Sequence, residues 1–168
     1  MLSIVIAPDP VLSKNADKVE KVNKDVLRLI EEMKQTLLSR IFITKLTEKS
    51  PIGVFINPEI IQIDTDNNQR ISADNQRKSP PTKLEGCLSL PSIWGTVFRS
   101  PKIKLEYLDE NGKTHSKIFT EFMATIMQHE IDHLDGILFP KRVLEQGGTL
   151  YKSHKNKKGQ DEFDEIEI

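Results

Sequence analysis

The chain has 168 residues, 37% of them apolar, and a formal net charge of −1. That is long enough for one hydrophobic core, expected as a single domain over 1–143, and the near-neutral balance excludes broad electrostatic attraction to DNA or to a membrane surface. No apolar run approaches the roughly 20 residues that span a bilayer. The single cysteine excludes an internal disulfide, and with no leader-like start a reduced thiol in the cytoplasm is expected.

In chain order, Val26, Leu27, Ile30, Met33 and Leu37 recur at helical spacing behind Asn23, a cap residue, which predicts a helix over about 23–38. Short strands are expected at 41–44, 53–56 and 60–63, with Asn57-Pro58 turning the chain between the last two. Positions 64–83 are polar, rich in Asn, Asp, Gln and Ser, and close on Ser79-Pro80-Pro81. They read as a mobile surface loop, with folding over a cleft as the functional alternative. Cys87 follows in Leu84-Glu85-Gly86-Cys87-Leu88-Ser89-Leu90-Pro91, a tight loop feeding a strand. Ile103, Leu105 and Tyr107 then alternate with charged residues up to Asn111-Gly112, and positions 113–119 return, the pattern of a hairpin.

A second helix is expected from Thr120 to Gly136. Thr120 can cap it, Glu121 suits the positive end of its dipole, and Gly136 supplies a left-handed stop. Phe122, Ile126, His129 and His133 form one row and Met123, Met127, Ile131 and Leu134 another, so the helix is expected to be buried at the centre of the fold. The architecture that follows is α+β, antiparallel sheets packed around that helix. Beyond 143 the chain turns basic at 152–158 and acidic at 161–167, which reads as a solvated, flexible tail over 144–168.

The chemistry lies in Gln128-His129-Glu130-Ile131-Asp132-His133. On a helix, histidines four apart share a face one turn apart and can hold one divalent cation, and a carboxylate beside them can act as general base. As ordinary polar residues of a buried helix the two histidines would need only backbone partners. A catalytic metal centre needs a third ligand. Cys87 or another histidine could provide it, but His115 and His154 sit in polar, exposed-looking surroundings, and a lone Cys is also consistent with an inert core thiol.

Glu85-Gly86-Cys87-Leu88-Ser89 together with Gln128-His129-Glu130-Ile131-Asp132-His133-Leu134 resembles two signature motifs of the peptide deformylases. Ile6-Ala7-Pro8-Asp9-Pro10-Val11-Leu12, Phe55-Ile56-Asn57-Pro58-Glu59-Ile60 and Gly136-Ile137-Leu138-Phe139 extend it over most of the chain up to Val143. The resemblance implies metal ligands Cys87, His129 and His133 with water as the fourth, Glu130 as acid/base, and the Leu88 backbone N–H as an oxyanion donor. It places Glu85, Gly86, Phe122 and Thr125 around the pocket for the first side chain of the substrate. It further implies ferrous iron in the cell, replaceable by zinc, nickel or cobalt, and removal of the formyl group from formyl-methionine on nascent peptides. Work at the ribosome would give the basic block an RNA partner near the exit tunnel, against which stand its shortness and the acidic block beside it.

One family motif is absent. Gly-x-Gly-Leu-Ala-x-x-Gln should fall between the first helix and the next strand, yet Gln35-Thr36-Leu37-Leu38-Ser39-Arg40-Ile41 runs straight through. Its Gln would be a second oxyanion donor, and loss of one such donor costs roughly 10² to 10³ in turnover. A catalytically weak or inactive relative that binds metal or formyl-peptide is therefore one rival reading, and a His-Glu-x-x-His peptidase, which shares the helix, is another.

Overall fold

The computed structural model describes residues 5–33, 40–45, 49–63 and 84–167. The expected 64–83 loop and the end of the first helix lie outside the described residues. Within them two four-stranded antiparallel sheets and short helices give the expected α+β class.

Helix α1 (Lys24–Met33) begins where the sequence says. The Asn23 side-chain oxygen accepts hydrogen bonds from the backbone N–H groups of Asp25 and Val26, both at 3.0 Å, satisfying two of the donors that a helix start leaves open. The first sheet joins β1 (Ile41–Thr44), β2 (Gly53–Ile63), β5 (Lys102–Leu108) and β6 (Thr114–Thr120) in the order β1-β2-β5-β6. The last two form the expected hairpin, its loop tied by the Asp109 carboxylate, which accepts from the N–H groups of Asn111 and Lys113.

Asn57-Pro58 does not turn the chain. It makes a bulge inside one continuous β2, where the pairing with β5 shifts register between Ile56 and Glu59. Asn57 adopts φ +48, and its side chain both accepts from the Val19 N–H at 3.0 Å and donates to the Val19 carbonyl at 2.9 Å. The amide thus replaces a ladder partner and lets an Asn-Pro pair remain in a strand.

Helix α2 (Glu121–Leu134) lays Ala124, Met127, Ile131 and Leu134 on Phe42, Phe55, Ile103, Leu105 and Tyr107 of this sheet. Phe55 stacks on Phe42 at 4.7 Å and meets Tyr107 at 4.5 Å. Each such buried side chain stabilises by about 1.5–3 kcal/mol, which fixes the face of α2 that turns away from the sheet. The cover is incomplete at the start of the helix, where Phe122 is 60% exposed. Thr120 occupies the cap position without a side-chain hydrogen bond to the helix.

The second sheet, in the order β3-β4-β7-β8, comprises β3 (Glu85–Cys87), β4 (Leu90–Gly95), β7 (Leu150–Lys155) and β8 (Asp161–Glu165). The segment expected to be a solvated tail therefore carries two paired strands. Its charge blocks face each other across the strands, Lys152 opposite Asp164 and Lys155 opposite Asp161, and Trp94 of β4 meets Phe163 of β8 edge-on. Pro91 lies exposed within β4. Helix α3 (Phe139–Glu145) packs Phe139 and Val143 against Val97 and Leu150, with Cys87, Leu90 and Ile93 alongside.

Gly136 joins α2 to α3. Its N–H donates to the His133 carbonyl and that of Ile137 to the Asp132 carbonyl, the paired bonds that end a helix on a left-handed residue. At φ +68, a Cβ here would stand 2.7 Å from backbone atoms of Ser13. Gly136→Ala is therefore expected to cost at least about 1–3 kcal/mol from the conformation alone. Chemical denaturation will read this as a lowered midpoint at unchanged slope.

Candidate metal centre

Strand period and helix period converge on one point. In β3, Glu85 and Cys87 share a face because alternate residues of a strand do, and Gly86 between them turns the other way, where a Cβ would stand 2.8 Å from the Trp94 ring. In α2 the face opposite the apolar row carries His129 and His133. The Cys87 Sγ lies 3.1 Å from the His133 Nε2, which lies 3.2 Å from the His129 Nε2. The donor atoms of Cys87, His129 and His133 all fall within 4.8 Å of one another, the one such group among the described residues.

One sulfur and two imidazole nitrogens this close suit a single divalent ion of borderline softness with a position left for water. Of the candidates for a third ligand, Cys87 is the one that the fold brings to the two histidines. His115 and His154 lie elsewhere, His115 against Asp109 at 2.7 Å and His154 between Glu162 and Asp164.

The electrostatics divide: the thiol is prepared to act as a ligand, whereas His129 has to give up a proton before it can bind an ion. Burial opposes ionisation of the Cys87 thiol, but hydrogen bonds with His129 and His133 and the charge on His133 outweigh it and bring the thiol down to about 5. Burial likewise opposes charging of His129, yet Cys87 and Glu85 raise it to about 9. Glu130 is pushed upward by burial, with the two histidines partly offsetting the rise. An upward shift is the direction that helps a carboxylate take up a proton and pass it on.

Of the residues expected around the substrate, Phe122 and Thr125 lie on the first turns of α2, and Leu88, 80% exposed, sits in the turn between β3 and β4. Glu85 is differently engaged. Its carboxylate meets the His129 Nδ1 at 3.1 Å and accepts both the Nε–H and an Nη–H of Arg99, at 2.9 and 3.0 Å.

Arg99, Asp132 and Arg142 escaped sequence reasoning. Arg99 also bonds Asp132, which in turn takes a hydrogen bond at 2.7 Å from Arg142 of α3. Asp132 is 5% exposed, and the two guanidiniums hold its carboxyl below the usual range against the opposing effect of burial. A signal was available: a carboxylate next to Ile131 on a helix expected to be buried demands cations. Nothing in the chain order says which.

Arg99 itself is placed by two glutamines. The Gln128 amide accepts from the Ser100 N–H at 3.1 Å and donates to the Ser100 carbonyl at 2.9 Å, and Gln146 does the same to Phe98 at 2.7 and 3.1 Å. The backbone on either side of Arg99 is thereby hydrogen-bonded through side chains, as a strand would be through a neighbour.

The family model for polypeptide deformylases matches residues 36–147. The chain is similar to the peptide deformylase of Agrobacterium fabrum, at 34% identity over 81% of this chain and 83% of that protein. It is also similar to that of Desulforudis audaxviator, at 32% identity over 90% and 97%. Among solved structures, peptide deformylase from Thermotoga maritima superposes with a TM-score of 0.69 at 29% identity, over 84% of this chain and 97% of that one. The Ehrlichia chaffeensis enzyme superposes at 0.70 with 28% identity, over 85% and 88%.

Proposed function

The chain belongs to the polypeptide deformylase family, and from that membership and the geometry of its metal centre we propose how it works. It is a metal-dependent hydrolase that removes the formyl group from the N-terminal formyl-methionine of nascent polypeptides and releases formate. The observation that carries the reading is the convergence of Cys87, His129 and His133 beside a carboxyl, Glu130, whose proton affinity burial has raised.

Cys87, His129 and His133 hold the ion in this account. We take it to be ferrous iron in the cell, with zinc, nickel or cobalt able to replace it. An ion held there would supply Lewis-acid chemistry, polarising the formyl carbonyl and acidifying the attacking water. Glu130 accepts the proton of the attacking water and passes it to the departing amine. The Leu88 N–H donates to the oxygen as it gains charge, unaided by the family's Gln, which has no counterpart in this sequence. Phe122, Thr125 and Gly86 border the space for the methionine side chain.

No helix among the described residues is long and apolar enough to cross a membrane. The cytoplasm, where formylated chains are synthesised, is the proposed compartment, and the substrate is the nascent peptide itself. Contact with the ribosome has less support, because the lysines of β7 face the acidic residues of β8 rather than standing clear.

The test is formate release from formyl-Met-Ala-Ser by anaerobically prepared, iron-loaded protein, with an internal peptide bond of an unformylated peptide as the competing substrate. Formate without internal cleavage is expected. Internal cleavage without formate would replace this reading with the peptidase, and binding of the formyl-peptide without either product would replace it with a binding protein.

A further inference from the structure

The donor set explains what holds a metal, not what aims the imidazoles at it. Neutral histidine binds through one nitrogen, and which one is decided by the hydrogen bond at the other. The His129 Nε2 faces the His133 Nε2, and its Nδ1 faces the Glu85 carboxylate at 3.1 Å. Glu85 is itself clamped from two directions by the planar fork of Arg99, which is braced in turn against Asp132, three residues beyond His129 on the same helix.

We propose that Glu85 is a positioning residue of the metal centre: its carboxylate accepts the Nδ1–H of His129, reserving Nε2 for the ion, and Arg99 fixes that carboxylate in place. Because Glu85 sits two residues before Cys87 on the same face of β3, one short strand delivers both a ligand and the group that orients a second ligand. Glu85 pairs with Gly95 of β4, and the pairing shifts register between Gly86 and Cys87. The arrangement adds no net charge, Glu85 and Asp132 being matched by Arg99 and Arg142, so Cys87 and Glu130 set the charge felt by the ion. Glu85 is thereby moved from the substrate pocket, where the resemblance put it, to the support of the metal.

The inference rests on the proposed ligand set, and the experiment separates the two. Cobalt(II) affinity is measured by chelator competition, with the thiolate-to-cobalt absorption band as the signature of Cys87 ligation, for the wild type, Glu85→Gln and Arg99→Lys. Each variant is first shown by circular dichroism to be folded. A Gln side chain has one accepting oxygen and must turn its NH2 toward either His129 or Arg99. Glu85→Gln is therefore expected to bind cobalt about 10–100-fold more weakly, with the band retained but altered. Arg99→Lys keeps the charge, loses the fork and should weaken binding in the same direction. It decides the matter by the same criterion should Glu85→Gln not fold. A folded variant with wild-type cobalt affinity and only a raised KM for formyl-Met-Ala-Ser would return Glu85 to the substrate pocket and overturn the proposal. A wild type that binds cobalt without the thiolate band would overturn the ligand set, and the positioning role with it.

Discussion

Replacing Glu130 by Gln is expected to lower formate release by about 10² to 10⁴ while the protein still carries its metal. Glu130 is the neighbour of His129 on α2, yet it is absent from the group of atoms that can reach one ion. Its carboxyl is pushed upward by burial and drawn back partly by the two histidines, which makes it a better proton acceptor than an exposed carboxylate. Gln matches its shape and cannot take that proton. Cys87→Ala provides the contrast, because it removes one of three ligands and should lose the ion along with turnover. Metal analysis of both variants beside their rates is the check. Equal metal loss in Glu130→Gln would make the residue a ligand or a structural support, and near-wild-type turnover would place the proton transfer elsewhere.

The second large effect concerns stability. Arg99→Met keeps the length of the side chain but leaves Glu85 and Asp132 with less compensation, and the Asp132 side chain is 8% exposed. Arg99 is 8% exposed as well, so water cannot replace what is lost. Removing one partner of a buried ion pair costs about 3–5 kcal/mol, which is a large part of the 5–15 kcal/mol by which domains of this kind are stable. Arg142 remains on the other side of Asp132 and limits the damage there. Glu85 keeps only His129. A fall in the denaturation midpoint of that order is expected. A second change, Glu85→Gln in the Arg99→Met background, should then cost much less than it does alone, since the pair acts as a unit. Additive costs would show that the two side chains do not depend on each other.

The parts of the fold that could be read from the chain were those fixed locally. Alternation with Asn111-Gly112 specified the β5–β6 hairpin, and two apolar rows with Gly136 specified α2 and its end, because strand period, helix period and left-handed glycine are properties of neighbours. What escaped was decided across the fold. Asn57-Pro58 stays inside β2 because the Asn57 amide finds Val19, 38 positions away. The lysines and acids after 150 look solvated in sequence and become a strand pair only once Leu150 and Tyr151 have paired with Gly95 and Trp94 of β4. The site divides in the same way. His129, Glu130 and His133 announce themselves by helical spacing, whereas Cys87 is a candidate beside the other histidines until the resemblance singles it out. Arg99 belongs to no motif, and two distant glutamines and two carboxylates determine its role.

The central claim is that one ion at Cys87, His129 and His133 powers the release of formate. Titration of metal-free protein with cobalt(II), following formate release from formyl-Met-Ala-Ser at each addition, tests it most directly. The rate should rise linearly from zero and break sharply at one equivalent of metal. Formate released before any metal is added, or a rate that stays at zero after one equivalent has bound to the folded protein, would contradict it.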